Sequence, residues 1–348
     1  MLQIWNKTPF SAGLSLFCDP SGADVVAIAV KATYALPSGG EPCRLSGEQL
    51  PVLYRDEYRG APAESSIARP PDVVLGKAGT DIGLVGRALA PAGRAVARLD
   101  VVLAVAQLRK TITVFGDRRW EKSLGSGKLR PSAPAPFVEM PIVHERAFGG
   151  QDQGPEGRPL VDARNPVGTG FLLDAHRAPG RALPNLEDPD RLIAEWNDRP
   201  PVACFGFVDA WWQRRRAHAG TYDEAWRRDH FPLLPRDFDL RFFNQAEEGL
   251  VSPRFLNGGE PVQLVNLSER GTLAFRLPEV AVDLSYRLGE EEHPARARLQ
   301  TVVFEPDNER FYLVWGDSFP VGKQPSRLRY VRVEATGPSV AGARGVSL

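Results

Sequence analysis

The stretch "DVVAIAVKATYAL" (residues 24–36) is an apolar run with Val, Ile or Ala at most positions, preceded by Pro20-Ser21-Gly22 and followed by Pro37. Runs rich in β-branched residues and bounded by such turn residues are typical of strands. Comparable runs occupy residues 82–90, 94–108, 110–116, 260–267, 271–278, 295–306, 310–316 and 328–335. The sequence therefore predicts a fold in which strands predominate.

Two of these regions have the pattern of a hairpin. "FEPDNERFYLVW" (304–315) places the turn residues Pro306-Asp307-Asn308 between two apolar strands. Residues 99–117 and 299–317 share one order: an apolar strand, a polar turn, a second apolar strand and then Gly-Asp. This similarity is consistent with a duplicated hairpin.

The middle of the chain differs from this pattern, because loop-forming segments such as "PSAPAPF" and "NPVGTG" interrupt it. We therefore predict a mainly β fold with antiparallel sheets in a sandwich- or barrel-like arrangement. A single domain should span residues 1–335, with a loop- and helix-rich insertion at about 117–255. A flexible tail should follow over residues 336–348, and the few short helices should lie around residues 185–230.

Three short helices are predicted in the insertion. The first should start at Asp188, since a proline follows it at the first helical position. The second should cover residues 207–219 and stop at Gly220. Thr221 and Glu224 have the S/T-x-x-E spacing of a capping box, which predicts the start of a third helix.

Composition and charge exclude several classes of protein. The chain has 348 residues, of which 43% are hydrophobic, and 43 Lys plus Arg balance 43 Asp plus Glu. A general binder of nucleic acid or anionic membranes carries a basic excess, so neither partner is expected. The three cysteines, Cys18, Cys43 and Cys204, form no C-x-x-C pair, and the N-terminal residues lack a signal-peptide pattern. We expect a cytoplasmic protein.

The stretch "MPIVHERAFGGQD" (140–152) is the first candidate for a chemical centre. His144-Glu145 begins like the H-E-x-x-H pattern of zinc hydrolases, but Phe148 occupies the place of the second histidine. "GSGKL" (125–129) and "GLSLF" (13–17) are similarly incomplete versions of a phosphate loop and a nucleophile elbow. The sequence therefore contains no complete catalytic, metal or cofactor motif. We expect no catalytic residues, no metal site, no cofactor-binding site and no enzymatic activity.

Two interpretations of His144-Glu145-Arg146 remain open. The side chains could serve a hydrolase as base, acid and anion clamp, together with Asp237 or Asp239. Alternatively, the charged trio pins the end of a strand while Gly149-Gly150 redirects the chain, which makes the stretch a structural corner.

The segment "LPRDFDLRFFNQA" (234–246) carries a second acidic pair. Asp237 and Asp239 would share one face of an extended segment with Arg241, and Arg236 flanks them. The pair could bind a hard cation such as calcium. The alternative is an Arg–Asp network that holds the insertion in place.

A window rich in tryptophan and arginine is the candidate protein-binding surface. It comprises Trp211, Trp212, Arg214, Arg215, Arg216 and Trp226. Trp and Arg are enriched at interface hot spots, although core tryptophans with stacked arginines would give the same composition. Adjacent helical residues lie about 100° apart, so Trp211 and Trp212 cannot both face inward. We predict that one is buried and the other exposed.

Several motifs, taken in order, resemble those of one bacterial family. They are "NKTPF" (6–10), "VFGDRRW" (114–120), "MPIVHERAFGG" (140–150), "NPVG" (165–168), "LPNLE" (183–187), "AGTYDEAW" (219–226), "LPRDFDLRFFN" (234–244) and "LNGGEPVQLVNL" (256–267). The set includes Tyr222, Asp223 and Arg236. The family, first catalogued as a domain of unknown function, consists of type VI secretion accessory proteins.

The resemblance implies an adaptor or chaperone without catalytic residues or a cofactor. Its partners would be a secretion effector, a valine–glycine-repeat spike protein and a PAAR-type tip protein. Two alternatives stay open: the hydrolase centred on His144 and Glu145, and a structural component of the secreted particle.

Overall fold

Strands are the predominant secondary structure of the described residues, as predicted. The computed structural model describes residues 3–38, 40–123, 125–154, 157–322 and 325–338. Strands account for 42% of the residues and helices for 9%. Most of the predicted flexible tail, residues 339–348, lies outside the described residues. The prediction of a single domain over residues 1–335 stays a prediction.

The described strands of six or more residues all lie outside the insertion, whereas those inside it have two or three residues. In chain order they are β1 Gln3–Asn6, β2 Ser11–Cys18, β3 Asp24–Ala35, β4 Glu57–Tyr58, β5 Ile67–Arg69, β6 Thr80–Leu84, β7 Arg87–Leu89, β8 Arg98–Val105, β9 Leu108–Phe115, β10 Trp120–Lys122, β11 Leu129–Pro131, β12 Glu139–Pro141, β13 Phe148–Gly149, β14 Gln151–Gln153, β15 Pro159–Val161, β16 Thr169–Gly170, β17 Leu186–Glu187, β18 Val251–Ser252, β19 Pro261–Val265, β20 Thr272–Arg276, β21 Ala281–Leu288, β22 Glu291–Arg296, β23 Arg298–Glu305, β24 Arg310–Pro320 and β25 Leu328–Thr336.

The helices are few and short. The α-helices among the described residues are α1 Gln213–Arg216 and α2 Glu224–Asp229, both inside the predicted region. Single turns of 3-10 helix lie at Pro91–Gly93, His144–Arg146, Ala175–Arg177, Leu240–Phe243, Pro306–Asn308 and Pro325–Arg327.

The largest sheet has six strands in the order β18-β6-β23-β24-β3-β2. Its neighbours pair antiparallel except β6 and β23, which are parallel. β3 lies between β24 and the edge strand β2 and is buried on both faces. Val26, Ile28 and Val30 belong to the principal core, whereas Ala27 and Ala29 belong to a second cluster on the opposite side. A strand covered on both faces needs a continuous apolar sequence rather than an alternating one, which explains the opening stretch.

A five-stranded antiparallel sheet, β17-β9-β8-β19-β20, packs against the six-stranded sheet. The contact is direct, because the ring of Phe275 on β20 lies 5.4 Å from that of Phe311 on β24. The two predicted hairpins are both present, as β8–β9 and β23–β24, and the second turns at Pro306–Asn308. They lie in different sheets.

A four-stranded sheet, β1-β25-β21-β22, extends the same core. Its outer pair β1–β25 is parallel and the others are antiparallel. The ring of Tyr286 on β21 stacks at 3.7 Å on Phe319 at the end of β24, which joins this sheet to the six-stranded one.

The insertion has a small core of its own, formed by Trp120, Phe148, Leu172, Ala178, Leu183 and Ile193. The predicted helix at Asp188 is wrong, because this segment forms turns. The Asp188 carboxylate accepts the N–H of Asp190, and the Glu187 carboxylate accepts the N–H of Ile193. Side chains that bind nearby backbone groups in this way compete with helix formation.

The other two predicted helices exist but are shorter. Residues 207–212 are not helical, since the Asp209 carboxylate accepts the N–H of Trp211 and only Gln213–Arg216 complete a helix. The following turn ends at Gly220, which has a φ of 82°. The capping box is wrong as well: Asp223, not Thr221, caps α2 by accepting the N–H of Trp226.

Candidate functional site

His144–Gly150 form a sharp corner between β12 and the small strands of the insertion. His144–Arg146 make one turn of 3-10 helix, and β13 then pairs in parallel with β16. The side-chain amide of Asn165 donates to the carbonyl oxygens of His144 at 2.8 Å and Phe148 at 3.1 Å. The motif "NPVG" therefore holds the motif "HERAFGG" in its bent conformation.

Two further motifs meet at the same corner. Arg146 donates to the side-chain oxygen of Asn185 at 2.8 Å, and the amide of Asn185 donates to the carboxylate of Asp117 at 3.0 Å. Asn185 belongs to "LPNLE" and Asp117 to "VFGDRRW". Motifs that are far apart in the chain thus form one hydrogen-bonded unit, as the interpretation of a structural corner requires.

Glu145 supports the corner from another side. Its carboxylate accepts the backbone N–H of Ser66 at 2.7 Å and the Ser66 hydroxyl at 2.8 Å, and its carbonyl accepts the Thr169 hydroxyl at 2.8 Å. Because Ser66 engages both of its carboxylate oxygens, Glu145 links the corner to the residue that precedes β5.

Glycine is required at the bend itself. Gly149 and Gly150 have φ angles of 150° and 93°, and a Cβ atom at Gly150 would lie 2.3 Å from the carbonyl oxygen of Gly168. A Cβ atom at position 149 would likewise lie 2.2 Å from the carbonyl oxygen of Asn165. Both contacts are with backbone, which cannot move aside as a flexible side chain would.

We expect Gly150→Ala to lower the free energy of unfolding by about 2–4 kcal/mol, the sum of left-handed backbone strain and a steric clash. Gly180→Ala is the matched control, because Gly180 has a φ of 81° but open space around its Cβ position. It should show only the strain of about 1–2 kcal/mol. Denaturant titration of both variants measures the difference, and equal losses would contradict a tightly closed corner.

His144 is buried and paired with a residue far away in the chain. Its Nε2 lies 2.6 Å from the Oε1 of Glu247, and its ring contacts the edge of Trp212 with the centroids 4.9 Å apart. Burial lowers the pKa of His144, but the neighbouring Cys204 sulfur and the Glu247 carboxylate outweigh burial and raise the pKa to about 10. Burial raises the pKa of Glu247, yet its bond to His144 keeps that pKa below the ordinary value. The pair is an internal ion pair.

The residues of the hydrolase hypothesis do not converge. His144 is buried, and Glu145 binds Ser66 rather than sharing a proton with His144. Asp237 accepts the N–H and the hydroxyl of Thr221, and Asp239 pairs with Arg241. The two aspartates also do not share a face of an extended segment, since Asp239 caps the 3-10 turn Leu240–Phe243.

The acidic pair instead forms local links on the surface, which agrees with a network that holds the insertion. The pKa of Asp237 is lowered by its bonds from Thr221, and that of Asp239 by its bonds from Arg241. Within the described ranges, no group of three or more His, Cys, Asp or Glu side chains is placed to hold a metal ion.

The two adjacent tryptophans have opposite environments, as predicted. Trp211 is 82% exposed, whereas Trp212 is 5% exposed and packs on His144. The cause is the Asp209 turn rather than a long helix, because Trp212 is the N-cap of the short helix α1. Trp212 anchors the segment, and Trp211 projects from it.

The three arginines after the tryptophans do not form one surface. Arg216 is exposed, and Arg214 is partly buried with its guanidinium donating to the carbonyl oxygen of Ala246. Arg215 is 4% exposed and donates to the carbonyl oxygens of Phe242 and Val208. Burial lowers its pKa, against the opposing effect of Asp56 and Asp209. The inclusion of Arg215 in a docking surface is therefore wrong; it lies in the interior.

Trp226 belongs to a separate aromatic group. Its ring lies 4.7 Å from Tyr222 and 5.6 Å from Phe231, in edge-to-face arrangements, and its indole N–H donates to the carbonyl oxygen of Leu233. Tyr222 is 54% and Phe231 66% exposed. Sequence reasoning missed Phe231, because no local pattern in the sequence distinguishes an exposed phenylalanine from a buried one.

The fold and this site define a mainly β protein whose loop-rich insertion is pinned by a charged corner and presents exposed aromatic side chains. The chain belongs to the bacterial family described as an uncharacterized protein conserved in bacteria (DUF2169), whose model matches residues 21–316. No curated protein and no solved structure matches the chain. Along the described part of the chain, no helix is long and apolar enough to cross a membrane.

Proposed function

We propose that the protein is a type VI secretion adaptor that binds an effector in the cytoplasm and helps to load it onto the spike and tip proteins. The observation that carries the proposal is Trp211, whose side chain is 82% exposed beside the helix α1. The exposed ring leaves a large apolar surface in contact with water in the free protein. A partner that covers this surface would gain the free energy of its burial. The resemblance of the ordered motifs to secretion accessory proteins supports the same function.

The backbone around Trp211 is held in place before any partner binds. The Asp209 carboxylate accepts the N–H of Trp211 at 2.9 Å and the hydroxyl of Tyr58 at 2.6 Å. On the other side of Trp211, the buried Trp212 fixes the start of α1. A partner would thus meet a pre-organised anchor, which reduces the entropy lost on binding.

Trp211→Ala is expected to weaken binding of the effector by about 2 kcal/mol or more, the usual loss at an interface hot spot. The melting temperature should stay nearly unchanged, because the side chain has few contacts to lose. The test is calorimetric titration of the protein with the effector encoded beside its gene, with co-purification of the spike and tip proteins as a second readout.

Trp5→Ala is the matched control, since Trp5 is a 43% exposed tryptophan on β1 of the four-stranded sheet. It should leave the affinity unchanged. Unchanged binding by Trp211→Ala would exclude this surface, and failure of the native protein to bind any product of its gene cluster would exclude the adaptor function itself.

A further inference from the structure

A basic groove lies beside α1, between the loop of residues 188–202, the turn of the β8–β9 hairpin and residues 247–249. It has a volume of about 830 Å³. Its cationic side chains are Arg109, Lys110, Arg164, Arg191, Arg199 and Arg214. The chain as a whole has no net charge, so this clustering is a local property of the fold.

Most of these cations are not neutralised by the carboxylates near them. Arg199 donates to the carbonyl oxygen of Leu172, Arg214 to that of Ala246, and Arg109 to the side-chain oxygen of Gln263. These acceptors are uncharged, so they position the guanidinium groups without cancelling their charge. Burial lowers the pKa of Arg199; Asp162 and Asp198 oppose this effect, and the nearby Arg164 adds to it.

The acidic residues in the groove do not reverse this balance. Glu247 is paired with His144 at 2.6 Å and lies 3.9 Å from the Nζ of Lys110. Arg164 is paired with Asp162, which lies outside the lining. Asp188 and Glu248 are the remaining carboxylates of the lining. The groove therefore keeps an excess of positive charge that an anionic partner would complement.

The lining between the cations is apolar. Pro201, Val202, Val208 and Ala217 contribute to it, and no aromatic side chain does among the described residues. Single-stranded nucleic acid binds through stacking on aromatic rings as well as phosphate contacts, and this groove offers only the charge. A polypeptide can use both features, by directing carboxylates to the arginines and apolar side chains to the floor.

We propose that this groove binds an acidic, extended segment of a partner protein, with Glu or Asp side chains alternating with apolar ones. The planar guanidinium groups suit bidentate contacts with carboxylates, and two of them are held in place by backbone carbonyls. The inference adds a partner chemistry to the proposed function but does not depend on it, because it concerns the groove and not the origin of the segment.

The test uses a capped, fluorescently labelled synthetic peptide of alternating glutamate and leucine, titrated with the full chain at low salt. Fluorescence polarisation should show saturable binding that weakens as sodium chloride is added, since salt screens charge pairs. A lysine–leucine peptide of equal length and a single-stranded DNA oligonucleotide are the comparison probes, and neither should bind as tightly.

The double variant Arg109→Glu and Arg191→Glu should weaken peptide binding at least about tenfold, equivalent to ~1.4 kcal/mol. Both side chains are exposed, so the fold and the melting temperature should be preserved. Arg329→Glu, which changes an exposed arginine on β25, is the matched control and should bind like the native chain.

Three results would overturn the proposal: no measurable binding of the acidic peptide, equal binding by the double variant, or tighter binding of the oligonucleotide that the same variant abolishes. The last result would assign the groove to nucleic acid. Because no effector is used, failure here leaves the Trp211 experiment unaffected, and the reverse also holds.

Discussion

Asp81→Ala should lower the free energy of unfolding by about 3–5 kcal/mol, the usual cost of removing one partner of a buried ion pair. Asp81 is fully buried on β6, and its carboxylate lies 2.7 Å from the Nζ of Lys77. The same carboxylate accepts the side-chain amide of Asn244 at 2.9 Å and the backbone N–H of Gln245 at 2.8 Å. Its loss leaves a buried ammonium group and two buried donors without their acceptor.

The consequence should extend beyond β6, because Asn244 and Gln245 belong to the segment that follows "LPRDFDLRFF" in the insertion. Urea unfolding of Asp81→Ala measures the loss, with Asp283→Ala on β21 as the control for an exposed aspartate in a strand. Lys77→Met combined with Asp81→Ala should cost less than the two single losses added together, since the variant leaves no unpaired charge. A loss within the range of the Asp283 control would contradict this network.

His144→Gln should destabilise the protein by a similar amount, about 3–5 kcal/mol, because it leaves the Glu247 carboxylate buried without its cation. Lys110 is the next nearest cation, with its Nζ 3.9 Å from Glu247, too far for a hydrogen bond. The histidine ring also packs on Trp212, so its loss weakens the anchor from which Trp211 projects.

The stability from this pair should depend on pH in a defined direction. The folded pKa of His144 is raised from 6.5 to about 10, so its contribution is complete below pH 6.5 and is lost as pH rises through the folded value. Glu247 has a lowered pKa, so its contribution is present above pH 4.5 and is lost as pH falls through the folded value. The free energy of unfolding of the native protein should therefore exceed that of His144→Gln by the largest amount between pH 4.5 and pH 6.5. Above pH 6.5 this difference should shrink by up to about 1.4 kcal/mol per pH unit.

Urea unfolding of both proteins across this pH range measures the difference. His176→Gln is the control, because His176 is exposed and should contribute no such dependence. A difference between native and His144→Gln that is constant from pH 5 to 10 would show that folding does not change the pKa of His144, and it would contradict the ion pair.

The strands were predictable to the extent that their apolar residues are continuous. β3, β8 and β23 lie within the predicted runs, whereas β9, β24 and β25 overlap predicted runs and extend beyond them. Among the longer strands, β2 and β21 were missed and β22 was predicted only at its last two residues, because polar and charged residues interrupt their apolar ones. The turn at Pro306–Asn308 was predictable since its residues restrict the backbone locally.

The candidate site was predictable only in part. The sequence identified Trp211 and Trp212 as a contrasting pair, and a structural corner was one of its two interpretations of the stretch from His144 to Gly150. It did not indicate that Arg215 is buried while Arg214 and Arg216 are not, because three consecutive arginines carry no local signal that distinguishes them. The carbonyl oxygens of Phe242 and Val208 decide the position of Arg215.

By itself, the sequence determined that this protein is built mainly from strands, that its insertion has few and short helices, and that the chain turns at particular Gly and Pro residues. These properties depend on neighbouring residues, whose backbone preferences and apolar spacing act locally. Only the tertiary structure decided that Glu247 pairs with His144, 103 residues away. It likewise decided that the Thr221 hydroxyl donates to Asp237 instead of capping α2, and that six cationic side chains line one groove. A buried charge or an unpaired donor must find a partner wherever the fold provides one, and that requirement outweighs local preference.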